Sequence, residues 1–232
     1  MRPPSAGHQA AVDGTSGEER DDLVDAIRYA VLRKLAPGLR HALMGELQAI
    51  ELSAELAARM LRAGADLAEV RDNVTRIPHQ CTAAVKTGRS VIELLRPDEG
   101  TTTSVSEGVG QCLKLAGEDW FLRGIEVTTD LPEADVHVSK GALQELVVTA
   151  LLVLSDMYDQ AADLHLVVRP VGDRVDVIVR ARAAERVSSV PPLGQYRKLV
   201  WADLKLLAHA HGVPCVCEGD TASLQFQRAS PP

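Results

Sequence analysis

Aromatic residues are nearly missing from this chain, at 3% of 232 residues. A core must therefore be built from Leu, Val, Ile and Ala, and an apolar content of 46% is enough to build one. An excess of positive charge is missing too. The formal net charge of -7 argues against a nucleic-acid binder. No apolar run reaches the length of a bilayer span, and the N-terminus lacks a signal-peptide core, so no membrane association and a cytoplasmic location are expected. Cys81, Cys112, Cys215 and Cys217 have unmatched spacings that fit reduced thiols better than a disulfide framework.

What the chain does have is helical periodicity. Leu39, Leu43, Leu47, Ile50, Ala54, Ala57 and Leu61 are spaced by threes and fours, one stripe of a helix. At roughly 100° per residue, His41 falls opposite the centre of that stripe. If the stripe is a buried seam, the imidazole faces water, as a titratable nucleophile would need to. Glu46, about one turn on, is a candidate hydrogen-bond partner for the ring, and Arg40 a candidate contact for phosphate or an acidic partner. A second run, Val70, Val74, Ile77, Cys81, Ala84, Gly88, Val91 and Leu95, has heptad spacing. With a turn at Gly64 the two make an antiparallel hairpin whose stripes call for a second copy, so a homodimeric four-helix bundle is expected.

Around these helices the chain divides into three. Residues 1–17 are small, polar and proline-containing and read as a disordered tail. Residues 18–96 form the helical domain, opened by a lead-in helix with Leu23, Ile27, Val31 and Leu35 spaced by fours; Pro37 and Gly38 are expected to bend it, and Pro78 to kink the second helix. Residues 97–232 mix helix and strand. Helices are expected over 106–122, 140–157 and 195–211. Strands are expected over 125–129, 135–138, 164–171, 174–182, 213–218 and 222–227, with a hairpin turn at Gly172-Asp173. Helices on one face of an antiparallel sheet give an α/β sandwich, and the whole an α+β fold.

The segment LAPGLRHALMGEL resembles the phosphoacceptor helix of two-component sensor histidine kinases, with Leu35, Ala36, Gly38, His41, Leu43 and Leu47 in register. Three positions depart from the family pattern: the acid after the histidine is Ala42, the polar Asn or Thr is Gly45, and the proline is Glu46. GALQELVVTALLVLSDM is similar to the family's first nucleotide-binding helix, and ADLKLLAHAHGVPCVCEGDTASLQF to its closing piece. The resemblance implies a histidine-kinase-like ATPase domain, but a degenerate one. The asparagines that hold Mg²⁺ and phosphate in the family fall at Val148 and Leu152, and no asparagine follows Asn73. The adenine-reading loop is replaced by RARAAERVSS, and the glycine-rich lid is reduced to PPLGQ.

Without metal ligands, adenine aspartate or phosphate loop, a triphosphate would lack charge compensation, so no cofactor is expected. Two readings follow. In one the chain is a histidine phosphotransferase that shuttles phosphoryl groups between response-regulator receiver domains through His41, each receiver bringing its own Mg²⁺. In the other it is a pseudokinase scaffold that binds a receiver or kinase, and His41 is never phosphorylated. Leu43, Leu47 and Ile50 are the expected partner-binding residues. A metal reading of His209, His211, Cys215 and Cys217 is disfavoured because positions i and i+2 do not share a helix face.

Overall fold

The computed structural model describes the backbone of residues 7–95, 100–185 and 197–231. Two long helices come first, α1 (Gly7–Arg62) and α2 (Leu67–Leu95), joined at Gly64, whose φ of 69° suits glycine. A mixed part follows: β1 (Thr102–Ser104), α3 (Val105–Leu122), β2 (Ile125–Asp130), β3 (His137–Ser139), α4 (Lys140–Asp156), β4 (Ala162–Val171), β5 (Arg174–Ala183), α5 (Trp201–Ala210), β6 (Cys215–Glu218) and β7 (Thr221–Gln227). The result is a helical hairpin followed by an α/β sandwich, the α+β architecture the pattern implied. Among the described residues no helix is long and apolar enough to cross a membrane.

Several elements differ from expectation. The lead-in and phosphoacceptor segments are one helix that runs through Pro37 and reaches back to Gly7, into the stretch read as a disordered tail. Once a helix is nucleated each further residue adds a hydrogen bond, so a marginal sequence continues an existing helix that it could not start; residues 1–6 lie outside the described ones. α2 likewise continues through Pro78. The sheet is mixed rather than antiparallel. Its order is β2-β4-β5-β7-β6, and β2 pairs with β4 in parallel across the crossover that contains α4. β1, unforeseen, pairs with β3 in a separate two-stranded sheet. α5 starts at Trp201, where the Val200 amide donates to the Asp203 carboxylate at 3.0 Å. The expected helical residues 195–196 and the PPLGQ segment lie outside the described residues.

The sandwich core follows from period-two burial. Leu164, Leu166 and Val168 of β4, Val175, Val177 and Val179 of β5, and Ala222, Leu224 and Phe226 of β7 point to the helices, while His165 and Arg180 point to solvent. α3 and α4 approach closely at Gly108, where a Cβ would lie 2.5 Å from Leu143 Cδ2.

α4 is buried on every side, from Ala142 to Asp156. A helix with no exposed face must be covered twice. One cover is the sheet. Around the rest of α4 lie α3 and α5, and across these packs the first half of α1, whose Val24, Ile27, Val31, Leu35 and Leu39 join the same core and whose Arg28 and Lys34 reach α4. Fully burying such a side chain is worth about 1.5–3 kcal/mol. The register differs from the expected one: Val24 is buried, and Leu23 is 56% exposed.

Candidate functional site

His41 lies on α1 two residues beyond Leu39, the last buried apolar side chain of the docked half. Its ring is exposed and has no hydrogen bond or ion pair among the described residues. Arg40 beside it is exposed as well. Helical steps of three and four from His41 reach Met44, Gly45, Gln48 and Leu52. All four are exposed, Leu52 at 67%, and a Cβ at Gly45 would meet nothing within 4 Å. The histidine thus tops an open, uncharged strip on a rigid helix, apolar at Met44 and Leu52 and polar at Gln48.

Four expected residues of the site lie off the histidine's face. Glu46 does not reach the ring. It turns to α2, where its Oε1 accepts a 3.0 Å hydrogen bond from Thr87 Oγ1. Five residues of helix separate it from His41 by roughly 140° of rotation, which puts the two on different faces. Leu43, Leu47 and Ile50 also miss the histidine's face, their mean direction being roughly 150° away. Leu43 and Ile50 are half-buried, and Leu47 is 46% exposed on the outer side of the hairpin.

The hairpin in fact has two faces on each helix. The inner one packs α1 on α2 through Ala57 and Val70, which are buried, and through half-buried Ser53, Met60, Ile77 and Ala84. It carries polar groups: Asn73 Nδ2 meets Met60 Sδ at 3.3 Å. The outer face exposes Leu47 and Leu61 on α1 and Val74, Cys81, Val85 and Ile92 on α2. Of the second run, Val91 and Leu95 have side chains outside the described ones.

The other chemistry-bearing place in the family resemblance is α4. Here Val148 and Leu152, at the positions of the family's asparagines, are 0% and 2% exposed. α1 is held over this helix by charge as well as by apolar packing. Arg28 donates Nε to Glu145 Oε1 at 2.8 Å and its second nitrogen to Oε2 at 3.3 Å. His211, at the end of α5, brings Nε2 to the same Oε2 at 2.5 Å. Burial pushes the Glu145 carboxyl up, but hydrogen bonds and charge from His211 and Arg28 outweigh it and leave the group below the ordinary carboxylate value. One α-helical turn beyond Val31, Lys34 pairs with Asp156, which also accepts the Leu199 amide at 2.9 Å.

Sequence reasoning passed over Arg28, Lys34, Glu145 and Asp156. The signal was present: an acidic residue inside an otherwise apolar helix is seldom buried without a partner. His211 is therefore committed to Glu145, while the Cys215 and Cys217 thiols lie 3.5 Å apart on one face of β6.

No family model and no curated protein matches this chain. Among solved structures, it is similar to the histidine kinase AdeS of Acinetobacter baumannii, with 13% identity and a TM-score of 0.41 over 82% of this chain and 94% of that one. A bacterial phosphotransferase is similar over 85% of this chain and 95% of its own, with 15% identity and a TM-score of 0.36. The histidine kinase ThkA in complex with the response regulator TrrA is similar over 94% of this chain and 66% of that one, with 11% identity and a TM-score of 0.43. These neighbours are histidine kinases and a phosphotransferase. At such identities and scores the likeness is one of general architecture and says nothing about activity.

Proposed function

We propose that this chain is a cytoplasmic histidine phosphotransferase of a two-component phosphorelay, carrying phosphoryl groups between response-regulator receiver domains on His41 and binding no ATP. The observation that supports it best is the contrast between two helices. α1 presents His41 to solvent, whereas α4, which would hold nucleotide in the resemblance, is buried on all sides among the sheet, α3, α5 and the side chains of α1.

In the proposed step the neutral imidazole attacks the phosphorus of a receiver's aspartyl phosphate in line. The P–N bond forms as the acyl P–O bond breaks, the aspartate leaves as carboxylate, and the ring's other nitrogen releases its proton to water. The reverse sequence charges a second receiver. Mg²⁺ and the acidic cluster belong to the receiver, so this chain supplies the ring and a surface, which we assign to Met44, Gly45, Gln48 and Leu52, with Arg40 at its edge. The outer hairpin face, with Leu47, Val74, Val85 and Ile92, supports pairing with a second copy in a four-helix bundle.

A scaffold role, in which His41 is not phosphorylated, is favoured by one observation. Ala42 replaces the family's acid, and Glu46 is engaged with Thr87, so the ring has no activating partner among the described residues. Receiver domains pre-charged with labelled phosphate, mixed with the wild type and with His41→Ala, separate the two. Acid-labile, base-stable label on the wild type alone supports the relay. Receiver binding without label on either protein supports the scaffold and overturns the relay.

A further inference from the structure

β6 closes one edge of the five-stranded sheet, and its Cys215 and Cys217 stand opposite Leu224 and Ala222 of β7. Those two neighbours are buried in the core, so the thiols lie on the helix side of the sheet, the side that α5 covers. Val216 between them faces the other way and is exposed. Both cysteines are free and half-buried, and their sulfurs are 3.5 Å apart. Of the remaining cysteines, Cys81 on α2 is exposed and Cys112 in α3 is buried.

That spacing selects among the things two sulfurs can hold. A disulfide needs Cα atoms within about 6.8 Å. Residues i and i+2 of an extended strand are already about 6.6 Å apart, so closing one would strain the sheet edge. A single atom bonded to both sulfurs at about 2.3 Å leaves them where they are, 3.5 Å apart, and subtends roughly 100°. A linear two-coordinate ion would need them about 4.6 Å apart, twice that bond length. Among the described residues no third His, Cys, Asp or Glu joins them in a metal-holding group, and His211 is engaged with Glu145. A tetrahedral ion would thus lack half its protein ligands. It would also need both thiols ionised, which burial opposes although Lys205 of α5 acts the other way. A three-coordinate centre that brings its own third substituent and forms neutral bonds meets every one of these conditions.

We propose that Cys215 and Cys217 form a chelating dithiol site for trivalent arsenic, as arsenite or a monosubstituted arsenical. Two As–S bonds form as two As–OH bonds break, and each hydroxyl leaves with a thiol proton as water. Arsenic stays trivalent, no electrons change hands, and the product is as neutral as the two thiols. The second bond is made within one chain, which sets the pair apart from any single cysteine. The site belongs to the sheet edge and is independent of His41 and of the relay reading.

The test is the intact mass of the folded full-length chain after one equivalent of phenylarsine oxide, in a large excess of glutathione. The expected result is one phenylarsenic adduct with the loss of two hydrogens, removed by dithiothreitol. Cys215→Ser and Cys217→Ser should each lower adduct retention by about a hundred-fold or more, and Cys81→Ser should leave it unchanged. An unchanged near-UV spectrum checks that each variant is folded, and Cys217→Ala repeats the test without a hydroxyl. No adduct on the native chain, or an adduct that appears only in urea, would overturn the site. So would an adduct that survives either single variant or requires Cys81. Displacement of the arsenical by equimolar Zn²⁺ would give the pair to a tetrahedral metal, and a spontaneous loss of two hydrogens that blocks the adduct would give it to a disulfide; either result overturns the assignment.

Discussion

Lys34 and Asp156 are 122 residues apart in sequence and meet at 2.5 Å, with side chains 12% and 6% exposed. The pair fastens α1 to the end of α4 two turns before His41. With Arg28 on Glu145 it makes the hairpin and the sandwich share one core rather than hang on a linker.

Removing one partner strands the other. Lys34→Met should destabilise the fold by about 2–4 kcal/mol, because Asp156 keeps the Leu199 amide but loses its closest cation. Urea unfolding at neutral pH measures this. A loss within experimental error would mean that α1 is not seated on the sandwich in solution.

Stability should fall on the acid side through Glu145. Its carboxyl titrates below the ordinary 4.5, so the stabilisation is complete above that value and is lost as pH drops through the lower folded-state value. Urea midpoints followed from about pH 7 to pH 3 should show a shallower acid limb in Glu145→Gln than in the wild type. Identical limbs would remove Glu145 from the acid response.

His41→Gln should be silent for stability, within about 0.5 kcal/mol, since the ring is exposed and makes no hydrogen bond or ion pair among the described residues. Gln48→Glu on the same strip should also leave folding intact, because the side chain is exposed and the new one is nearly the same shape. Facing a receiver's acidic cluster, the added charge should lower transfer by about ten-fold if that strip is the docking face. Transfer at the wild-type rate would move docking elsewhere.

Leu47→Glu with Val85→Glu places charges on the outer hairpin face, where these side chains are 46% and 63% exposed. Sedimentation of the wild type should give a dimer, and of the double variant a monomer, with the near-UV spectrum of the sandwich unchanged. A wild-type monomer at micromolar concentration would remove the bundle from the proposal.

Thiol labelling should be ordered by burial. Cys81 is exposed and should react first. Cys112 is buried and its thiol is pushed up to about 12, so it should stay unmodified until the protein unfolds. Cys215, also raised to about 12 by burial and by Cys217, should lag behind Cys81. Rapid reaction of Cys112 in the native protein would place α3 away from α4.

Much of the molecule was readable in advance because it depends on neighbours along the chain. Spacings of three and four marked α1 and α2, an apolar run of helical length marked α4, alternation marked β2, and the Gly172-Asp173 turn marked β4 and β5, to within a residue or two at most ends. The exposure of His41 followed from the same arithmetic. Glu46 was misplaced because nearness along a helix was taken for a shared face, and α2 offered it Thr87. A bend at Pro37 was expected from local chemistry; the helix continues through it, with Leu35 and Leu39 on either side both held in the core.

By itself the sequence determined where most helices and strands form and that α1 carries more than one apolar stripe. Local hydrogen bonding and side-chain period are short-range, so they are written in the order of residues. The tertiary structure alone decided which stripe covers what. An apolar face requires removal from water and does not name its cover, so the seating of Val24 to Leu39 on the sandwich beside α4, and the meeting of Arg28 with Glu145 and of Lys34 with Asp156, arise from contacts more than a hundred residues apart.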